Sequence, residues 1–404
     1  MIGWESKTLG DLMNIGRGAS PRPIQNFITK GPGIPWVKIA DATKSINKYI
    51  ERTKEFIIEE GRRKTVYPGE LIVSNSATPG IPKLMKIEAC VHDGWLVFDK
   101  YKNIDTLYLY YFFLDYRRIL AHSASGTVFK NLTTEIVRNV SINLPPLQEQ
   151  KAITKVLTAF DDKIELLQAQ NKTLETMAQT IFKEWFGKHQ IGDELPEGWR
   201  VGKLGDFNAE IADFVANGSF ASLKENVTLF NHPEHALFIR NTDLKSDFKE
   251  KTYVDKKAYD FLSKTKLFGG EIIISNVGDV GSVHLCPQFK IPMTLGNNII
   301  MLKSEHNFFF YTLFKSRIGQ HLISTITGGS AQPKFNKTDF RNMGLIIPPN
   351  NLLNNFEFAS SKFYEKILKN KEQILSLTKT RDTLLPKLMS GQVRVNNIKQ
   401  TANA

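Results

Sequence analysis

The residues best suited to chemistry in this chain are amides and amines on two short glycine-containing runs. Ser125-Gly126-Thr127-Val128-Phe129-Lys130-Asn131 and Gly328-Gly329-Ser330-Ala331-Gln332-Pro333-Lys334-Phe335-Asn336-Lys337 each stand just ahead of a proline pair. Glycine there lets backbone amides approach a phosphate closely. Lys130, Lys334 and Lys337 supply charge for phosphate oxygens, with Thr127 and Ser330 as small polar backbone contacts. Asn131, Gln332 and Asn336 carry the donor and acceptor groups that read base edges in a major groove. The competing reading is a solvated turn.

Basic clusters stand just before a strand-like run in each half. They are Arg62-Arg63-Lys64 in one, and Lys256-Lys257 with Lys264 and Lys266 in the other. Charge runs are commonly solvated faces, but recurrence at equivalent places makes these candidate phosphate contacts. Lys38 and Arg240 close two further strand-like runs, and Asn75 and Asn276 end the runs that follow the basic clusters. Asp41 and Asp243 could accept from cytosine amino groups; capping a turn is the simpler role.

No catalytic constellation accompanies them. There is no Asn/Asp-Pro-Pro-aromatic run of the kind that holds a flipped base, since Leu144 and Ile347 precede the proline pairs. No glycine-rich loop ends in Gly-Lys-Ser/Thr, and no Gly-x-Ser-x-Gly elbow occurs. Gly278-Asp279-Val280-Gly281 is too short for a nucleotide fingerprint. His232 and His235 flank Pro233, which argues against a helical metal pair. Cys90 and Cys286 form neither a disulfide framework nor a metal spacing, and read as idle thiols in a reducing cytoplasm.

The elements that must position these residues occur twice. Trp4-Glu5-Ser6-Lys7-Thr8-Leu9-Gly10-Asp11 returns as Trp199-Arg200-Val201-Gly202-Lys203-Leu204-Gly205-Asp206. Gly69-Glu70-Leu71-Ile72-Val73-Ser74-Asn75 returns as Gly270-Glu271-Ile272-Ile273-Ile274-Ser275-Asn276, and Leu144-Pro145-Pro146 as Ile347-Pro348-Pro349. A net charge of +12 and a pI near 9.4 favour a polyanion. A basic chain with two similar halves suits a partner with two similar ends, and double-stranded DNA leads. The apolar run Leu107 to Leu114 falls far short of the ~20 residues that span a bilayer. Met1 to Lys7 lacks a secretory pattern.

Short β-branched runs at 34–39, 70–74, 237–240 and 271–275 predict strands. Apolar spacing predicts helices over 105–120 and, as their repeat, over 308–323. Ile153, Phe160, Leu167, Leu174 and Ile181 recur every seventh residue on a helix that should begin at the first proline pair. Its second copy carries Phe356, Phe363 and Leu377 on one row and Ile367 and Ile374 on the next. Pro386 should kink or end that helix, with Gly391 as a stop. The economical arrangement is an antiparallel pair sharing this seam, with Asn171 and Asn370 fixing register. The alternative is that each helix packs only on its own domain.

Taken in order, these motifs resemble the specificity subunit of type I restriction–modification enzymes over nearly the whole chain. Leu144 to Ile153 resembles that family's entry into its central helix, and Leu384-Leu385-Pro386-Lys387-Leu388-Met389-Ser390-Gly391 its distal end. The resemblance implies an α+β protein of two similar mixed α/β target-recognition domains joined by two long antiparallel helices. Their bounds would be 1–146 and 193–349 for the domains, 147–192 and 350–393 for the helical spacers, and 394–404 for a flexible tail. It further implies that each domain reads half of a split DNA site, that the helices bind two methyltransferase subunits, and that two restriction subunits join the larger complex. The chain would then have no catalysis, metal or cofactor of its own. S-adenosylmethionine, ATP and Mg would belong to the partner subunits. The second proline pair departs from the pattern, continuing Asn350-Asn351-Leu352-Leu353 instead of Leu-Gln-Glu-Gln. Two rivals stay open: a coiled-coil scaffold that binds protein, and a stand-alone DNA-modifying enzyme.

Overall fold

The computed structural model describes residues 3–44, 47–76, 78–123, 132–246, 248, 250–329 and 331–395. The chain divides into two compact units, Met1–Leu166 with Ser376–Ala404, and Leu167–Leu375. Each unit closes its own start onto its own end. Glu5–Thr8 pairs antiparallel with Ser141–Leu144, and Arg200–Lys203 with Gly344–Ile347. Leu9 and Leu204 follow as fully buried plugs, their N–H groups donating to Val140 and Met343, each at 3.0 Å. A Cβ on Gly10 would stand 3.2 Å from the Arg138 carbonyl, and one on Gly205 at 3.2 Å from that of Arg341. Asp11 and Asp206 accept from the N–H of Thr8 and Lys203 at 3.0 and 2.8 Å. The recurring Leu-Gly-Asp is thus a corner built of a plug, a backbone near-contact and a tie.

Between these closures each unit folds as two sheets. In the first unit one sheet orders Asn14–Arg17, Trp95–Asp99, Leu71–Ser74, Pro82–Met85 and Tyr49–Ile50. The other orders Ile28–Thr29, Glu55–Ile57, Ile34–Val37, Ala89–Val91 and Thr65–Val66. The second unit has four strands in each: Ala209–Asp213, Ile299–Ser304, Ile272–Ser275, Val283–Leu285, and Tyr253–Val254, Ala236–Ile239, Met293–Leu295, Lys266–Leu267. Strands Leu71–Ser74 and Ile272–Ser275 are buried at every residue, which explains their unbroken apolar sequence. Side chains still alternate. Ile72 and Ile273 pack between the sheets with Val37 and Val91, or Ile239 and Leu295. Leu71 and Val73, or Ile272 and Ile274, face the helical layer.

That layer differs between the units. Thr106–Ser123 is one helix, whereas the expected single helix over 308–323 is two, Asn307–Lys315 and Arg317–Ile326. Ser316 is extended and caps the second of them, accepting from the Gly319 N–H at 3.2 Å. A serine that serves as N-cap restarts a helix rather than continuing it.

The two long helices are Leu147–Phe186 and Asn350–Met389, 40 residues each. The second runs past Pro386 to Met389, and Leu385, Leu388 and Met389 around the proline are buried in the first unit's core. Gly391, at φ 71°, ends it, its N–H donating to Leu388 at 3.2 Å. Of the expected tail, Arg394 is bound to both oxygens of Glu149 at 2.6 Å and Val395 is buried, while 396–404 lie outside the described residues.

The expected apolar seam is divided. Ile153 enters the first unit's core, and Phe356 and Ile367 the second's, with Leu174, Ile181 and Phe363 packed against the latter. Leu167 is buried; Phe160, Ile374 and Leu377 are half-buried outside these cores. A straight helix drifts ~20° per heptad, so a seven-residue row moves about 80° over four heptads and cannot keep one neighbour. Polar clasps link the two helices antiparallel within each unit. In the first, Arg381 donates to Asp161 at 2.6 Å, and Asp161 also accepts from the Tyr111 hydroxyl at 2.6 Å. In the second, Asn370 donates to Asn171 at 2.9 Å, the register pair expected from the sequence.

Each unit also anchors its sheet domain to a long helix, by different chemistry. Gln150, fully buried, accepts from the Asp105 N–H at 2.9 Å and donates to the carbonyls of Asn103 and Pro145 at 3.0 and 2.9 Å. Glu149 accepts from the Trp4 indole at 3.0 Å. The second helix start lacks both side chains. There Glu357 accepts from the N–H groups of Phe308 and Phe309 at 3.3 and 2.7 Å, and His306 meets Asn354 at 2.9 Å. Burial pushes the Glu357 carboxyl up to about 7, against the pull of those two N–H groups.

Two outcomes follow from these anchors. Asp161→Ala leaves the half-buried Arg381 guanidinium with Asp382 and should cost about 2 kcal/mol, the range for a lost hydrogen bond between charged groups. An unshifted calorimetric midpoint would contradict this. For Glu357 the folded pKa lies above the ordinary 4.5. The folded chain therefore holds a proton that the unfolded chain releases, and this group lowers stability as pH rises from about 4.5 to about 7. Glu357→Gln should remove that slope, gaining on the parent protein between pH 5 and 8 by up to roughly 3 kcal/mol. Parallel urea midpoints across that range would refute it.

Candidate nucleic-acid interface

In the second unit three loops and a short helix are stitched together at one set of strand ends. The Asn276 N–H donates to the Asn298 carbonyl at 3.2 Å. The Asn276 carbonyl accepts from the Phe335 N–H at 3.1 Å, and its side-chain amide donates back to the Phe335 carbonyl at 3.1 Å. Gly278 N–H donates to Pro333 at 2.9 Å. Gly328 and Lys334 exchange two backbone bonds of 2.9 Å, which pinch 328–334 into a closed loop. Gly329 takes φ 90° inside it, and a Cβ there would lie 2.6 Å from the Gln332 carbonyl. The short helix Asn241–Lys245 joins them: Asn241 donates to Asp279 at 3.3 Å, and Lys245 pairs with Asp279 at 2.5 Å.

The first unit repeats the latch. Asn75 N–H donates to Gly94 at 2.9 Å, its carbonyl accepts from Leu132 N–H at 2.9 Å, and its amide donates to Asp93 at 3.1 Å. In both units the turn so held, 92–94 or 296–298, carries the chain from one sheet to the other. Arg17, Ser20 and Arg22 surround the Asp93 turn: Arg17 donates to the Asp93 carbonyl at 2.7 Å and Ser20 to its carboxylate at 3.0 Å. Arg22 stands 3.8 Å from that carboxylate. Burial opposes the Asp93 charge, but the Ser20 hydroxyl, its own backbone and nearby cations outweigh it and hold the carboxyl below its usual range.

The expected site residues fall into groups. Gln332 and Lys334 are exposed on the pinched loop, with no hydrogen-bond partner for either side chain among the described residues. Lys264 is likewise exposed. Other cations are already engaged: Lys38 with Glu55 at 2.6 Å, Arg62 with Glu59 and Glu88 at 2.6 and 2.8 Å, Lys64 with Asp99 at 3.5 Å. Lys266 lies 3.9 Å from Asp260 and over the Tyr259 ring, and Lys337 lies 3.2 Å from Asp213. Arg63 donates to the carbonyls of Glu60 and Arg62. Arg240 is held by both oxygens of Asp243, while Asp41 and Asp243 accept from the N–H of Lys38 and Arg240 at 2.8 and 2.9 Å. Those aspartates are turn caps.

Three of the candidates have structural partners. Asn75 is 5% exposed and works as the latch beneath the loops. Asn276 does the same through the three bonds above. Asn336 caps the helix Lys337–Asn342, accepting from the Asp339 N–H at 2.8 Å. Thr127, Lys130, Asn131 and Ser330 lie outside the described residues. The sequence reading missed the 92–94 and 296–298 turns. Their only signal was a small polar triplet between two apolar strands, His92-Asp93-Gly94 or Gly296-Asn297-Asn298. Among the described residues, no group of three or more His, Cys, Asp or Glu side chains is placed to hold a metal ion. Nor is any helix long and apolar enough to cross a membrane.

The geometry defines a class: tandem two-sheet domains with polar strand-end loops, each anchored to a long helix. The family described as type I restriction modification DNA specificity domain matches residues 1–176 and again 196–382, so the chain belongs to it and is a type I restriction–modification specificity subunit. The MjaIX specificity subunit of Methanocaldococcus jannaschii is 27% identical over 98% of this chain and 94% of its own length. The HindI specificity subunit of Haemophilus influenzae is 22% identical over 97% of this chain and 100% of its own. The S subunit of a type I system from M. genitalium shares the fold at a TM-score of 0.56 and 16% identity, with 96% of each chain covered.

Proposed function

We propose that this subunit reads a split, asymmetric DNA site, one half through the strand-end loops of each domain, and docks two methyltransferase subunits on its long helices. The observation that carries this reading is the repeated asparagine latch with different side chains above it. One frame, held by Asn75 or Asn276, presents Asp93 in one domain and Asn297, Asn298 and Gln332 in the other. Similar frames with different polar tips suit two different half-sites. The net charge of +12 supplies the non-specific attraction. Phe358, Leu166 and Met177 on the long helices are 82%, 51% and 44% exposed, which suits a protein partner on those faces. Chemistry requiring S-adenosylmethionine, ATP or Mg then belongs to methyltransferase and restriction subunits, and none to this chain.

The direct test is methylation mapping by single-molecule sequencing in a host without its own systems, with the methyltransferase of the same system alone as control. A split asymmetric motif that needs both chains is expected; a stable complex that yields none favours a protein scaffold. Within that assay Gln332→Ala should relax one half-site. In filter binding Lys334→Ala should weaken every sequence alike and lower the log–log salt slope by about 1. The opposite pattern would reverse the two roles. Lengthening the first long helix within Gln168–Thr173 should lengthen the unspecified spacer of the motif, and an unchanged spacer would remove the helices' role as its ruler.

A further inference from the structure

Gln332 is not the most firmly held amide on the second domain's loop face. The turn between Met293–Leu295 and Ile299–Ser304 passes from one sheet to the other, so both its ends are fixed by strands rather than by a free hairpin. Its frame is pinned a third time by the Asn276 N–H bond to the Asn298 carbonyl at 3.2 Å. Asn298 is held in the left-handed region at φ 61°, which asparagine tolerates better than most residues. Above this rigid frame the side chains of Asn297 and Asn298 are exposed, and neither has a hydrogen-bond partner among the described residues. The turn is tied through Asn276 to Phe335, next to the pinched loop that carries Gln332 and Lys334. Asp279, on the neighbouring loop, is occupied by Lys245 and Asn241.

We infer that Asn297 and Asn298 are specificity-determining residues of the second domain, reading adenine through its N6 amino group and N7. The inference rests on the DNA-reading function proposed above. A carboxamide offers one donor and one acceptor side by side, which is the complement of the adenine edge in the major groove. A flexible amide would have to be ordered on binding, whereas here strands and latch have already fixed the backbone. In the first domain the equivalent turn carries Asp93, a pure acceptor when ionised, so the two domains present different chemistry from one position.

The test uses the full chain with its methyltransferase and reads the methylated motif. Asn297→Ala and Asn298→Gly, the latter keeping the left-handed backbone accessible, should each leave the first half-site unchanged. Each should make one position of the second half-site degenerate, with discrimination falling roughly 5- to 150-fold. Asn297→Asp, nearly isosteric, should exchange an adenine preference for cytosine, because a carboxylate accepts from the cytosine amino group but cannot donate. Full methylation of an unaltered motif by these variants would overturn the inference while leaving the DNA-reading function standing. Uniform loss across all sites, in a complex of normal size and thermal midpoint, would also overturn it by making the turn a positioning contact. A parent complex that methylates no split motif would sink the function and this inference together.

Discussion

The terminal strand pairs, Glu5–Thr8 with Ser141–Leu144 and Arg200–Lys203 with Gly344–Ile347, constrain everything else in each domain. A domain closed this way must enter and leave at the same place. Its last strand then delivers the proline pair directly to a long helix, and its first corner must fit under the same edge. Leu9 and Leu204 seal that corner, and Gly10 and Gly205 allow backbones to pass where a side chain would not fit. With entry and exit spent at one edge, the two sheets are free to offer other strand ends to a ligand. The latch asparagines sit at such ends.

Electrostatics on the loop faces is more selective than the net charge suggests. Most of the basic side chains expected to touch a polyanion are already engaged by carboxylates within their own unit, as Arg62 is by Glu59 and Glu88. Such a cation contributes to the long-range field but must share its donors before it can bind a phosphate. Unengaged groups such as Lys334 and Lys264 can act at contact distance without that exchange. Attraction and contact are therefore carried by overlapping but different sets of residues.

Much of this organisation was legible in the sequence because it depends on local rules applied twice. Unbroken β-branched runs marked the central strands, and a proline pair followed by forty residues without glycine or proline marked the first long helix. Asn171 and Asn370 were recognisable as a register pair because they are polar residues near the apolar seam. Failures arose where tertiary context decides. Nothing local distinguishes Ser316 as a helix restart from a serine within a helix. The heptad rows suggested a single seam because a linear pattern hides the drift of a straight helix. Asn75 and Asn276 stood among the candidate contacts as the ends of strand-like runs; only the fold buries one and ties both to a neighbouring loop. Conversely, Asn297 and Asn298 were overlooked because a polar triplet between strands is indistinguishable from any turn.

The unequal anchors fit each sheet domain to its own helix start. Gln150 requires the backbone geometry of Asn103, Asp105 and Pro145, and Glu149 requires Trp4 and Arg394. Glu357 requires the bare N–H groups that open the helix at Asn307. Genetic exchange of a sheet domain between relatives at the same position preserves these matches. Exchange between the first and second positions of one gene strands a buried glutamine at one junction and an uncapped helix at the other. The halves are alike in frame and unlike in what ties each of them to its long helix.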